Sequence, residues 1–209
     1  MEVMEAIKTR RSVRKYKDKP VPKDTLMELL KAACLAPSAT NRQPWEFVVV
    51  DRSYLLKLDQ ILRAAFAERV AGAGEAVMRE AIKDISLPID KNGDRLKALG
   101  HFYHTLGGAP VAIFVSVPKE DTPWVWRNNI SDAAASIENL LLAAWARGLG
   151  TCWLTGPLKA RSAEIALFLN IPEDREIVAI ISLGYPDHQP QMPPKKDISE
   201  KVRWVGFDG

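Results

Sequence analysis

Cysteine is scarce in this sequence: Cys34 and Cys152 are the only two in 209 residues, and no Cys-x-x-Cys spacing occurs. That excludes a disulfide framework or a zinc ribbon, and both residues read as buried thiols. Long apolar runs are lacking too. The longest, Leu140 to Ala146, falls far short of the ~20 residues that span a bilayer, and Met1-Glu2-Val3-Met4-Glu5 leads into basic residues rather than an apolar signal core. The expectation is a cytoplasmic protein with no membrane partner. Nor is there a large excess of one charge, because Lys+Arg 29 against Asp+Glu 26 leaves a net +3. Duplex nucleic acid asks for far more, so no nucleic-acid partner is expected and any basic function must be local.

Familiar catalytic motifs are missing as well. No Gly-x-Ser-x-Gly elbow or Walker A loop occurs, and Gly72-Ala73-Gly74 lacks the rest of a dinucleotide fingerprint. His101 and His104 share a helical spacing, but no carboxylate or cysteine cluster lies beside them in sequence, so no metal is expected. A chain with so few acid–base groups would leave its chemistry to a cofactor.

What is present suffices for one domain, since 209 residues with 47% apolar can bury a core. The periodicity predicts helices over 2–9, 23–35, 53–70, 130–147 and 160–169, and short β-branched strands over 46–51, 110–117, 150–154 and 177–183. The stretch from 71 to 109 is broken by glycines into short helical pieces and reads as a lid-like insertion. Trp124 and Trp126 fall on the connection after the second strand, where both could face a ligand. The segment 187–209, rich in Pro, Lys and Asp, reads as an extended C-terminal arm. With helix content exceeding strand content, a single α/β or α+β layered domain fits.

Three segments carry candidate chemistry. Arg10-Arg11-Ser12-Val13-Arg14 follows the first helix, and an extended backbone there aims Arg10, Ser12 and Arg14 at one anion; a solvated basic run is the alternative. Pro37-Ser38-Ala39-Thr40-Asn41-Arg42-Gln43-Pro44-Trp45 offers hydroxyls and amides suited to a polar heteroaromatic ring, or is an ordinary helix-to-strand turn with Trp45 in the core. Gly148-Leu149-Gly150-Thr151-Cys152-Trp153-Leu154-Thr155-Gly156 runs helix, glycines, strand. That order disfavours a Rossmann site, yet it could bring backbone N–H groups near Thr155 and Gly156 to a ligand, if it is more than a helix stop.

Together and in this order, the segments resemble the FMN-dependent nitroreductase family. The resembling elements are Arg10 to Arg14, Pro37 to Trp45, the long helix ending in Gly148-Leu149-Gly150-Thr151-Cys152, the Leu183-Gly184-Tyr185-Pro186 turn, and Lys195-Lys196 in the arm. The resemblance implies an α+β three-layer sandwich, a mostly antiparallel central sheet flanked by helices, assembled as an intertwined homodimer with FMN at the subunit interface. It implies that Arg10, Arg11, Ser12 and Arg14 hold the FMN phosphate and that Pro37, Ser38, Asn41 and Gln43 of one or the other subunit reach the ribityl chain and ring. Trp153, Leu154, Thr155 and Gly156 would lie along the flavin. Where many relatives have an arginine in the arm, this chain has Lys195 or Lys196, with Arg203 as competitor; lysine brings charge but no bidentate fork. The implied activity is NADH- or NADPH-driven ping-pong reduction of nitroaromatic, quinone or related small acceptors. His101, Tyr103, His104, Trp124 and Trp126 are the candidates for the acceptor side. The same fold also serves azoline oxidation, reductive dehalogenation, flavin fragmentation, or flavin binding without turnover.

Overall fold

The computed structural model describes residues 1–89 and 93–207, without the side chain of Lys159. The parts of the expected insertion and arm at 90–92 and 208–209 lie outside the described residues. Elements follow in the order α1 (Val3–Thr9), α2 (Lys23–Cys34), β1 (Glu46–Asp51), α3 (Arg52–Ala73), α4 (Glu75–Ala81), α5 (Arg95–Thr105), β2 (Val111–Pro118), α6 (Pro123–Ala146), β3 (Gly150–Leu154), α7 (Leu158–Phe168) and β4 (Arg175–Gly184).

The four strands form one antiparallel sheet in the order β1-β2-β4-β3, with Phe47 opposite Val115, Ile113 opposite Ile181, and Cys152 opposite Ser182. Each central strand is apolar on both faces, so each feeds two cores. Ala112, Phe114, Ile177 and Ile180 point to one side, where Leu58 and Leu62 of α3, Phe102 of α5 and Ile165 of α7 cover them. Val111, Ile113, Val115, Ala179 and Ile181 point to the other, against Leu29 and Ala33 of α2 and Ile137, Leu140 and Ala144 of α6. Fully burying side chains of this size contributes roughly 1.5–3 kcal/mol each. The result is the three-layer α+β sandwich.

Several expectations need correction. The long helix starts at Pro123, seven residues before the periodic apolar pattern begins, because proline suits the first helical turn. Trp124 and Trp126 are therefore helical and not on a connection. The polar residues that obscure this first stretch include Asn129, which is buried and donates to the Pro118 carbonyl. Cys34, at the end of α2, is exposed, whereas Cys152 is buried as expected. Between 71 and 109 the chain forms two packed helices, α4 and α5, capped by Gly74 and Asp94 respectively.

Candidate functional site

The basic segment leaves α1 in an extended conformation and lies along the open edge of β3. Ser12 forms a parallel bridge to Thr151, and the Val13 amide donates to the Thr151 carbonyl at 2.9 Å. Val13 drops into the core, fully buried, and Tyr16 locks the far end: its hydroxyl donates to the Val13 carbonyl at 2.8 Å and meets Ser182 Oγ at 2.8 Å. Gly107 completes the anchor. Its carbonyl accepts from the Tyr16 amide at 3.0 Å, and at φ 68° any β-carbon there would overlap the Arg14 carbonyl.

With the backbone fixed, Arg10, Arg11, Ser12 and Arg14 line one cavity of about 340 Å³, together with Ser86 and with Pro190, Met192 and Lys195 of the arm. Arg11 turns to the same cavity although strict strand alternation predicts the opposite side. Its Nη1 donates to the Lys8 and Arg10 carbonyls at 2.9 and 2.7 Å, which folds the side chain back on the end of α1. Arg14 donates to the Ser86 carbonyl at 2.9 Å. Arg10 Nε is buried without a hydrogen bond, 3.3 Å from Glu138 Oε1 but badly aligned to it. Of the arm's candidates Lys195 lines the cavity; Lys196 and Arg203 do not. Two carboxylates face this group of cations, Asp84 in the cavity lining and Glu138 beside Arg10.

A second cavity of about 200 Å³ adjoins the first, sharing Arg14 and Ile85. It is lined by Trp153, Leu154, Thr155 and Gly156 at the end of β3, by Ile82 after α4, and by Leu99, Phe102 and Tyr103 of α5. Cys152 also lines it, with burial pushing its thiol up from the usual cysteine range. Gly156 is required by packing, since a β-carbon there would overlap Tyr103 Oη and Arg69 Nη1. Arg69 is a residue that sequence reasoning missed, and an arginine on a 22-residue amphipathic helix gave no signal.

The third segment lies apart. Neither cavity is lined by Pro37, Ser38, Asn41 or Gln43. Its loop is nonetheless held firmly: the Ala39 amide donates to both carboxylate oxygens of Asp132 on α6 at 3.1–3.2 Å, the Gln43 amide to Ser38 Oγ at 3.0 Å, and Arg175 Nη2 to the Pro44 carbonyl at 2.8 Å. Thr40, Asn41 and Gln43 all have left-handed backbones, at φ 52°, 57° and 47°. Strain of roughly 1–3 kcal/mol per residue persists where surroundings enforce it, and it gathers at ligand sites. Asp132 and Arg175 were also unforeseen; Asp132 sits at helical spacing between buried Asn129 and Ser136, a polar stripe within an apolar face.

Two of the acceptor-side candidates are displaced. His101 and His104 line a shallow hollow with Arg63 and Phe66, away from the cavity that Tyr103 faces. His104 Nδ1 meets Asp59 Oδ1 at 2.8 Å. Burial holds His104 below the usual histidine range despite that contact, so the neutral ring donates to the carboxylate. Trp124 is exposed at the start of α6, and Trp126 packs on the α2–α6 core. Among the described residues no group of three or more His, Cys, Asp or Glu could hold a metal, and no helix is long and apolar enough to cross a membrane.

The model of the Nitroreductase family matches residues 7–185. The chain belongs to the nitroreductase family. A Methanothermobacter thermautotrophicus protein, provisionally named NADH dehydrogenase/NAD(P)H nitroreductase, is 35% identical over 91% of this chain and 80% of its own. The 4-nitrobenzoate reductase of a Nocardioides species is 32% identical over 90% of this chain and 83% of its own. Among solved structures, an FMN-dependent nitroreductase from Clostridium difficile shares 30% identity and superimposes with a TM-score of 0.65, covering 98% of this chain and 99% of that one. Membership in the nitroreductase family makes the chain an oxidoreductase by descent.

Proposed function

We propose that the chain is an FMN-dependent NAD(P)H oxidoreductase that reduces nitroaromatic, quinone or related small acceptors, as one domain working in a homodimer. The observation that carries this reading is a pair of unlike cavities that share Arg14 and Ile85 in their linings. One is ringed by Arg10, Arg11, Ser12, Arg14 and Lys195, and the other by Trp153 to Gly156 under an aromatic and aliphatic wall. A phosphate ester attached to a flat, mostly apolar ring system fits that pair. Arginine forks match phosphate oxygens bidentately, and Arg10 Nε, paired in charge with Glu138 but without a hydrogen bond, supplies a buried donor.

Arg10, Arg11, Ser12 and Arg14 would hold the FMN phosphate with Lys195 adding charge, and Trp153, Leu154, Thr155 and Gly156 would flank the ring. FMN held there would supply hydride transfer from NADH or NADPH to the acceptor. The chain's own contribution is orientation and water exclusion, the latter through Ile82, Leu99 and Phe102 of the segment 71–109, which stands over the second cavity as a lid. The loop Pro37–Gln43, strained and pinned but remote from both cavities, serves the site of a second copy. Exposed apolar residues on α1, including Val3, Met4 and Ile7, and in the arm, including Trp204 and Phe207, support the homodimer.

Purification and anaerobic titration test the reading. A yellow protein with flavin absorbance that NADH or NADPH bleaches, and that a nitroaromatic or quinone reoxidises, is expected. A colourless chain that takes up no added FMN would refute it. Assay against nitroaromatic, quinone, halophenol and azoline substrates separates reduction from the other chemistries of the fold.

A further inference from the structure

The cavity at the end of β3 contains a cation that the phosphate end does not account for. Arg69 enters it from α3, a helix that contributes nothing to the first cavity; its guanidinium lies over the Tyr103 ring, 5.9 Å from the centroid, and its Nη1 and the Tyr103 hydroxyl both stand beside Gly156. The acidic neighbours of Arg69 are committed elsewhere: Glu68 pairs with Arg161, and Asp59 with Arg63 and His104. No carboxylate lines this cavity among the described residues. Phe102, Leu99 and Ile82 form its wall, and Arg69 is half-buried beside them, where Coulomb attraction is stronger than in bulk water. Burial raises the Tyr103 phenol above its ordinary range, with Arg69 pulling the other way, so its proton stays in place to be donated. A planar guanidinium beside a phenol O–H, with no acid in the lining to satisfy them, is a receptor for a carboxylate that approaches the ring held along Trp153 to Gly156.

We propose that Arg69 and Tyr103 are the specificity pair for the acceptor, and that the acceptors this chain favours carry a carboxylate on a small aromatic ring. This rests on the reading of the chain as an FMN-dependent reductase. It goes further in giving the acceptor a charge and in naming the residues that read it.

The test uses the full FMN-loaded protein and two matched probes, nitrobenzoate and its methyl ester, with calorimetric titration of benzoate and benzamide into the oxidised protein as a readout independent of turnover. Wild type should prefer the acid in both measurements. Arg69→Gln should raise KM for the acid and weaken benzoate binding by about tenfold or more, the worth of one charge-assisted hydrogen bond, and leave the ester and benzamide within about twofold. Arg69→Lys should recover part of the loss, and Tyr103→Phe should show a smaller loss of the same kind. Equal losses on acid and ester would overturn the proposal, as would a weakened Kd for FMN or a change confined to KM for NADPH over NADH. Those last two would assign Arg69 to the cofactor or to the dinucleotide 2′-phosphate. A wild-type chain that takes up no FMN overturns the reading of the whole site. One that takes up FMN and reduces both acceptors alike overturns only the role of Arg69 and Tyr103.

Discussion

Arg175, the first residue of β4, donates to the Pro44 carbonyl at 2.8 Å and so ties the strained Pro37–Trp45 loop to the sheet. The same guanidinium reaches the Ser116 carbonyl at 2.9 Å, Ser116 Oγ at 3.0 Å and Glu46 Oε2 at 2.6 Å. Replacing it by methionine removes the guanidinium donor from both carbonyls. Arg175→Met should lower unfolding stability by about 2–3 kcal/mol, read from the urea midpoint. A loss below about 0.5 kcal/mol would mean that the loop holds itself.

The cation cluster makes a graded prediction. Arg10→Gln and Arg14→Gln should each weaken FMN binding by about tenfold to a hundredfold, as expected for loss of a charge-assisted, bidentate contact. Lys195→Gln should cost less, because a flexible ammonium on an extended arm loses more entropy on ordering. Lys196→Gln and Arg203→Gln, outside the cavity, should leave affinity unchanged. Fluorescence titration with FMN measures all five, and a flat series would detach the cluster from the cofactor.

Gly156 is confined by Tyr103 and Arg69, so Gly156→Ala must displace one of them. A stability loss of about 1–3 kcal/mol is expected, as for overpacking elsewhere, and Tyr103→Phe in the same chain should restore part of it. Thermal unfolding of the single and double variants checks this; purely additive losses would contradict the contact.

His104 sets a direction with pH. Burial depresses its pKa in the folded chain, so the unfolded chain takes up a proton first as acid is added. Its contribution to stability is complete above the ordinary histidine value of about 6.5 and is lost as pH falls through the folded value. Asp59, held low chiefly by its Arg63 hydrogen bond and further by His104, loses its contribution in a lower window, below the ordinary carboxylate range. His188, also depressed by burial, acts in the same sense as His104. The urea midpoint should therefore be lower at pH about 5 than at pH about 7.5, and His104→Asn should flatten part of that slope. An unchanged slope would place the proton uptake elsewhere.

The proposed homodimer predicts a solution mass of twice 23.3 kDa. Analytical ultracentrifugation should find it, and Ile7→Asp on α1 should shift it toward the single chain. A wild-type monomer that still binds FMN tightly would exclude any need for a second copy.

Much of the fold could be read from local pattern. The spans of β1 and β3 emerge as Glu46–Asp51 and Gly150–Leu154 because each is a short buried run with sharp boundaries. β4 extends two residues earlier than its apolar run, since Arg175 and Glu176 pair with Pro118 and Val117 at the sheet's end. The first turns of α6 escaped because Arg127 and Asn128 interrupt the apolar period, and the buried Asn129 and Asp132 find their partners outside the helix, at Pro118 and Ala39. The site was legible where it lay on backbone, in Arg10 to Arg14 and Trp153 to Gly156. Arg69, Asp132 and Arg175 act through contacts more than 25 positions distant, which no periodicity encodes. His101 and His104 misled because a 3.6-residue period turns Tyr103 into the cavity and carries its two histidine neighbours to another face of α5, His104 against Asp59 of α3.

The parallel bridge between Ser12 and Thr151 has a consequence for solubility. β3 is a border strand whose outer hydrogen-bonding row would otherwise stand open to another chain, and the segment Arg10–Arg14 lies along that row with three guanidinium groups. Charge along a sheet border is a known defence against strand-to-strand self-association. Whatever holds these arginines in place therefore also guards the border. A chain deprived of its anion, or shortened past Val13, should be the one that aggregates.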